Sequence, residues 1–383
     1  MSLWILVFWI ASGLILYTYL IYPAVLWLLT RRTRQPRLSE PAVWPSVSLV
    51  LAAYNEAGVI RAKIHNTLAL DYPAERFQFI VVSDGSTDAT DEIVAEYAQQ
   101  GVCALRMPRN GGKTLAQNAG CRLATGDILV FSDANSMYEP QALKELVKPF
   151  ADPQVGCVCG ELHYANPRQA AAGKGEGLYW RYERFLKRHE SLLVSALGAN
   201  GSIYAVRRDL FVELDADIIS DFIMPVRVWR NGYRVLYEPG AIATESAGGS
   251  FQAEFRRRTR IVSRSLRGLW TERAVLNPWT NGYFAMQVWS HKVLRWMVPV
   301  FLAVMLAASL ALAGAPLYRL ILGVQLIFYL LALLGYLFQN RVGRIALLYI
   351  PAYFCAINLG ALVGIWNFLV GKRYQAWQPI GRD

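Results

Sequence analysis

Charge is what this sequence lacks in four long stretches. Residues 2–30, 296–318, 320–340 and 345–371 contain no Asp, Glu, Lys or Arg, and each is long enough to cross a hydrocarbon core, which takes about 20 residues. With 54% hydrophobic residues over 383 positions, an ordinary soluble domain is excluded. The first stretch also lacks the basic start and the small-residue cleavage site of a secretory leader, so it reads as a retained span. Cysteine is scarce and unpaired. The five residues at 103, 121, 157, 159 and 355 form no CxxC, which argues against a zinc ribbon or a disulfide framework and fits a reducing compartment.

Two nucleotide-binding signatures are also missing. No GxGxxG follows the first strand-like run, so a dinucleotide fold is not expected. Gly111-Gly112-Lys113-Thr114 ends like a P-loop, but Met107 stands where that motif needs its first glycine. The net charge of +11 is gathered partly in a short window of six arginines (256, 257, 258, 260, 264 and 267). No stacking aromatics are interleaved with them, so nucleic acid is not the expected partner. A basic face against an anionic leaflet accounts for part of the excess.

What is present is an alternation of strand and helix. Ser46–Ala53 reads as a buried strand followed by a helical stretch over 57–69. Phe77–Val82 is a second strand, followed by a helix over 89–99. Residues 102–107 form a weak third strand before a helix ending near 124, and 127–132 a fourth. This spacing predicts an α/β domain with a mostly parallel sheet and helices on both faces. Glu56, Asp84, Lys113 and Asp133 then gather on one rim, at or just past the carboxyl ends of strands, where open α/β sheets bind ligands. Asp133 and Asn135, spaced i, i+2 in Phe131-Ser132-Asp133-Ala134-Asn135-Ser136, can both face a divalent cation. An ordinary polar turn explains the same hexapeptide.

AAYNE (52–56), VVSDGSTD (81–88), NGGKTLAQNAG (110–120), FSDANS (131–136), GANGSIYAVRR (198–208), SDFIMPVRVWRNGYRV (220–235) and FRRRTRIVSRSL (255–266) follow one another in the chain. In this order they resemble family-2 glycosyltransferases, in the membrane-embedded branch that includes hyaluronan, chitin and cellulose synthases. The resemblance spans roughly residues 46–270. It implies a GT-A (Rossmann-like) fold, a nucleotide-sugar donor, expected to be a UDP-sugar, an Mg²⁺ or Mn²⁺ ion, and inversion at the anomeric carbon.

The same resemblance assigns roles residue by residue. Ala53, Tyr54, Glu56 and Asp84 would contact the nucleoside and Lys113 the diphosphate. Asp133 would hold the metal, with Asn135 standing where the family usually has a second Asp. Asp221 would be the general base, preceded by Ser220 where relatives carry an acid, with Asp215 and Asp217 as rivals. Gly198, Ala199 and Asn200 would line the acceptor side. The arginine run resembles a Gln-Arg-x-Arg-Trp motif in which Arg257 replaces Gln, Arg258 and Arg260 match, and Ile261 replaces Trp. Loss of that indole argues for transfer of one or few sugars rather than long-chain extrusion.

The expected organisation is a span over 1–30, a cytoplasmic catalytic domain over 31–272 and an interfacial amphipathic segment over 273–292. About three spans over 293–371 follow, the last expected to be broken or re-entrant at Pro351, Asn358, Gly360 and Gly364, and then a basic tail over 372–383. Arg31, Arg32, Arg34 and Arg37 place the domain on the cytoplasmic side of the inner membrane. The acceptor would be a glycan or a polyprenyl- or lipid-linked molecule. A diacylglycerol- or ceramide-type lipid, or sugar-nucleotide binding without turnover, are the alternatives.

Overall fold

The computed structural model describes residues 3–33, 40–165, 172–246, 250–339 and 345–374. Arg34 and Arg37 of the basic flank, and residues 375–383 of the basic tail, lie outside this set. Among the described residues, eight strands form one sheet: β1 Val47–Ala53, β2 Phe77–Ser83, β3 Val102–Arg106, β4 Ile128–Asp133, β5 Met137–Tyr138, β6 Val155–Ala165, β7 Ile203–Arg207 and β8 Arg234–Ser246. Their spatial order is β3-β2-β1-β4-β7-β6-β8-β5.

The first half of the sheet is parallel, as the strand–helix alternation predicts, with β1 between β2 and β4. Beyond β4 it is mixed: β7 runs antiparallel to both β4 and β6, while β6 and β8 are parallel to each other. The mostly parallel sheet expected from the sequence is therefore a correct account of the N-terminal half and an incomplete one of the whole. Strands β6 to β8 are separated by long segments, so no short β–α period announces their direction.

Alternation along the central strands divides the core. Val50 and Ala52 face one fully buried cluster with Ile80, Val82 and Phe131. Leu49 and Leu51 face another with Phe79, Val81 and Val130. Burying each large aliphatic side chain contributes about 1.5–3 kcal/mol, and both faces of these strands contribute. One face is covered by the helix Lys113–Leu123, drawn close at Gly120. A Cβ there would sit 2.5 Å from Val50 Cγ1.

Among the described residues, four helices are long and apolar enough to cross a membrane: Leu3–Thr30, Pro278–Ala311, Pro316–Leu337 and Ala346–Leu369. The segment read as interfacial forms the start of the second, with Trp279 and Tyr283 exposed. The last apolar stretch, expected to be broken or re-entrant, is one helix, Ala346–Leu369. Pro351 lies in its second turn, and the helix continues past it. Gly360 and Gly364 are packing points and do not break it. A Cβ at Gly360 would lie 2.9 Å from Phe255 O, and one at Gly364 2.8 Å from Thr259 O. These small residues let the backbone of the helix Phe251–Thr271 approach. The arginine-bearing helix is thus seated directly on the last candidate span.

Candidate active site

The loops leaving β1 and β2 are stapled together by short polar side chains. Asn55 takes a left-handed conformation (φ 55°), and its Oδ1 accepts from Thr87 N at 2.8 Å. Asp88 accepts from Ala57 N and Thr90 N, both at 3.0 Å. Asp84 is fully buried, and its two oxygens accept from Gly111 N at 2.9 Å and Gly112 N at 2.7 Å. Burial pushes this carboxyl above its ordinary range, and the two amides pull against that. Asp84 therefore holds the turn that starts the helix carrying Lys113.

A cavity of about 1210 Å³ opens on this rim. It is lined by Glu56, Lys113, Asp133, Asn135, Gly198, Ala199, Asn200, Asp221, Arg257, Arg258 and Arg260. Ala53, Tyr54 and Asp84, from the expected nucleoside set, lie outside this lining. The distances converge at Gly201. A Cβ built on it would be 2.9 Å from Asp221 Oδ2, 2.9 Å from Lys113 Nζ and 3.7 Å from Asp133 Oδ2. Three charged groups, from the end of β4, the start of one helix and the first turn of another, thus face one point. Lys113 and Asp133 form an ion pair, and Lys113 also reaches Gly201 O at 3.3 Å.

Asp221 is the second residue of the helix Ser220–Arg230. Its carbonyl accepts from Ala199 N at 2.7 Å, so the 198–201 loop lies against the base of this helix. Asn200 is committed, donating to Gly160 O at 2.9 Å and accepting from Lys187 Nζ. Ser220 donates to Gln117 Oε1 at 2.6 Å, which ties the helix start to the helix bearing Lys113.

The arginines divide their work. Arg260 feels both Asp133 and Asp221, yet burial, with Arg257 nearby, lowers its pKa from the ordinary value. Arg258 is held over the Tyr179 ring at 4.7 Å and donates to its hydroxyl at 3.0 Å. Arg264 binds Ile218 O at 2.6 Å, Ala216 O at 3.0 Å and Thr114 Oγ1 at 2.8 Å, and burial brings its pKa to about 10. It braces the segment that delivers Asp221. Ile261, in the place of the motif's Trp, lines the cavity, but aromatic faces are supplied there by Tyr164, Trp180 and Trp296. An indole missing from one position does not leave the cavity without them.

No cluster of three or more His, Cys, Asp or Glu side chains poised to hold a metal occurs among the described residues. Asp133 with Asn135 offers one carboxylate and one amide oxygen. That set fits a cation such as Mg²⁺ or Mn²⁺ only when diphosphate oxygens and water supply the remaining ligands, the usual arrangement where substrate phosphates share the metal.

Residues 48–215 match the family model Glycosyl transferase family 2. The chain carries a family 2 glycosyltransferase domain. It is 28% identical over 238 residues to the Bacillus subtilis protein named "Probable glycosyltransferase YdaM", covering 56% of this chain and 54% of that protein. It is 26% identical over 275 residues to the poly-beta-1,6-N-acetyl-D-glucosamine synthase of Staphylococcus aureus, covering 69% and 62%. The chain thus spans between about half and three-fifths of the length of these relatives. Its fold is similar to that of the mannosyltransferase PcManGT from Pyrobaculum calidifontis in complex with GDP-Man and Mn²⁺, at 23% identity and a TM-score of 0.69, covering 96% of this chain and 100% of that one. The sheet is of GT-A type.

The match to the family 2 domain includes Glu56, Lys113, Asp133 and the 198–201 loop but stops before Asp221 and the arginines. Those residues rest on the resemblance of the 220–235 and 255–266 motifs and on their place in the cavity. Sequence reasoning missed Gly201, although it lies inside a quoted motif, because closeness to three charges is not a sequence property. It also missed Lys187, Lys292 and Arg295, which line the same cavity from helices that contribute no motif.

Proposed function

We propose that this chain is an inverting, metal-dependent glycosyltransferase of the inner membrane. It moves a sugar from a nucleotide-sugar, with UDP-sugars the expected class, to a glycan or lipid-linked acceptor at the cytoplasmic face. The observation that carries this reading is the convergence of Asp133, Lys113 and Asp221 on Gly201 in one cavity. Relatives named as a glycosyltransferase and a polysaccharide synthase are in keeping with it.

In the proposed reaction an acceptor hydroxyl attacks the anomeric carbon. Its oxygen forms the new bond to C1, and the bond from C1 to the diphosphate breaks, its electron pair leaving with the nucleoside diphosphate. Asp221 takes the hydroxyl proton as the new bond forms. Arg260 and Lys113 face the side on which negative charge grows, and fixed cations there lower the barrier. A divalent ion held by Asp133 and the Asn135 carbonyl would supply further neutralisation of the diphosphate. Gly198 and Ala199 allow close approach on the acceptor side, and the exposed Trp279 and Tyr283 suit a segment resting in the interface.

The test is nucleoside diphosphate release by the full-length protein from a panel of UDP- and GDP-sugars with Mn²⁺ and a native lipid extract. Wild type should turn over at least one donor. Asp221→Asn should lose about 10²- to 10⁴-fold in rate while keeping the thermal shift produced by the donor. Release by Asp221→Asn at the wild-type rate, or by neither protein with any donor, would overturn the assignment.

A further inference from the structure

The cavity does not end at Asp221. It continues towards the candidate spans, where Tyr19, Trp296, Ile357 and Ala361 from three of them form its wall. At this end Lys187, Lys292 and Arg295 also line it. We propose that this membrane-side end is a binding site for the phosphoryl group of a lipid, used as a handle to seat the acceptor. The site deepens the glycosyltransfer reading and rests on it for the word acceptor.

The carboxylates nearby are already engaged. Glu183 pairs with Arg295, approaches His291 Nε2 at 3.3 Å and accepts from Tyr179 OH at 3.0 Å. Glu190 accepts from Tyr22 OH at 2.7 Å and meets His291 Nδ1 at 2.9 Å. Lys187 and Lys292 have no carboxylate within 4.0 Å among the described residues. Lys187 is 5% exposed, and its ammonium contacts only neutral groups: Asn200 Oδ1, Ala199 O at 3.3 Å and Cys159 Sγ at 4.0 Å. Lys292 reaches His291 Nε2 at 3.4 Å and stands 5.8 Å over the Phe222 ring.

A cation buried without a counter-ion is costly, and pairing it with an anion removes the penalty. Lys187, buried with no acid paired to it, therefore calls for an anion that arrives with the ligand, and Lys292, half-buried and drawn on at longer range by Glu183 and Glu190, adds a second positive charge beside it. A phosphate oxygen is a strong charge-assisted acceptor for lysine. The wall of span residues calls for that anion to be carried on an apolar chain. The link to the reacting centre runs through two hydrogen bonds. Ala199 donates its N–H to Asp221 O and accepts Lys187 at its own carbonyl, and Phe222 follows Asp221 directly. A phosphoryl group held here leaves the rest of the acceptor beside the proposed base, and no bond to phosphorus changes.

The experiment measures binding without donor. Full-length protein in phosphatidylcholine nanodiscs is titrated with undecaprenyl phosphate, undecaprenol and phosphatidylglycerol, read by native mass spectrometry. Wild type should bind undecaprenyl phosphate at least about 10-fold tighter than undecaprenol. Lys187→Met and Lys292→Met should each lower affinity for the phosphate about 10- to 100-fold, leave the alcohol unchanged, and keep the nucleoside diphosphate thermal shift that reports an intact domain. Lys292→Arg should restore binding to within about 3-fold, which a purely structural lysine would not explain.

Phosphatidylglycerol binding as tightly, with the same lysine dependence, supports the site and names a bulk headgroup as its source. Weak phosphatidylglycerol binding supports it and names the acceptor. Equal affinity for phosphate and alcohol in wild type, a comparison that needs no variant to fold, would overturn the proposal, as would Lys→Met variants that bind like wild type. Phosphate binding without any sugar transfer would instead sink the glycosyltransfer reading and leave this site standing.

Discussion

Substituting Gly201 by alanine tests the convergence directly. The added carbon would lie 2.9 Å from both Asp221 Oδ2 and Lys113 Nζ, against an optimal carbon–heavy-atom separation of about 3.5–4.0 Å. Both charged ends must retreat by roughly 0.6–1 Å. Each is the far end of a side chain, not backbone, so the fold should lose less than about 1 kcal/mol. The geometry for reaction loses more, since a misplacement of about 1 Å can cost on the order of 10²-fold in rate. The expected outcome is a fall in kcat/KM of about 10- to 100-fold, equivalent to about 1.4–2.7 kcal/mol of transition-state stabilisation, with Tm within a few degrees of wild type. The assay is nucleoside diphosphate release on the best donor from the panel, beside a thermal melt. Wild-type kcat/KM in Gly201→Ala would refute the claim that the three groups act on one reacting centre.

Gly126→Ala should behave in the opposite way. Its Cβ would meet Ser48 N at 2.5 Å and Val47 C at 2.6 Å, backbone that cannot retreat without moving β1, so a loss of about 3 kcal/mol or more is expected. Gly101→Ala, at φ 85° with nothing within 4 Å, should cost only about 1 kcal/mol. Comparative melts decide between them. Lys63 donates to Ser136 O at 2.5 Å, and burial lowers its pKa from 10.5 to about 7. The native state thus binds fewer protons here than the unfolded chain between these values. Its contribution to stability is complete above pH 10.5 and is lost as pH falls towards 7. The stability of wild type minus that of Lys63→Met should therefore rise by about 3 kcal/mol from pH 6.5 to 9.5. A flat difference would show that Lys63 keeps its ordinary pKa.

Much of the fold could be read in advance where one interaction type dominates locally. The apolar runs of β1, β2 and β4 are buried on both faces, so they carry little but β-branched and aliphatic residues between polar loops. The charge-free stretches are long because backbone polar groups in lipid must pair within the helix. What hid the second half of the sheet is that β6, β7 and β8 associate across long intervening helices. The last apolar stretch looked breakable for a related reason. Gly360 and Gly364 read as weak points until their partner, the arginine-bearing helix, is in place. The sequence marks Asp84 as a residue at a strand end, but not that Gly111 and Gly112, from another loop, each donate an N–H to one of its oxygens.

By itself the amino-acid order determined the first four strands of the sheet, the stretches long enough to cross a membrane, and that Asp133 stands at a strand's carboxyl end. These follow from side-chain period, length and polarity, each a property of neighbours along the chain. Only the tertiary structure decided that Asp221, Lys113 and Asp133 meet over a residue without a side chain, and that Lys187 and Lys292 line one cavity with no carboxylate within 4.0 Å of either ammonium among the described residues. Such meetings depend on the distance between elements far apart in sequence, which packing sets and no local pattern records.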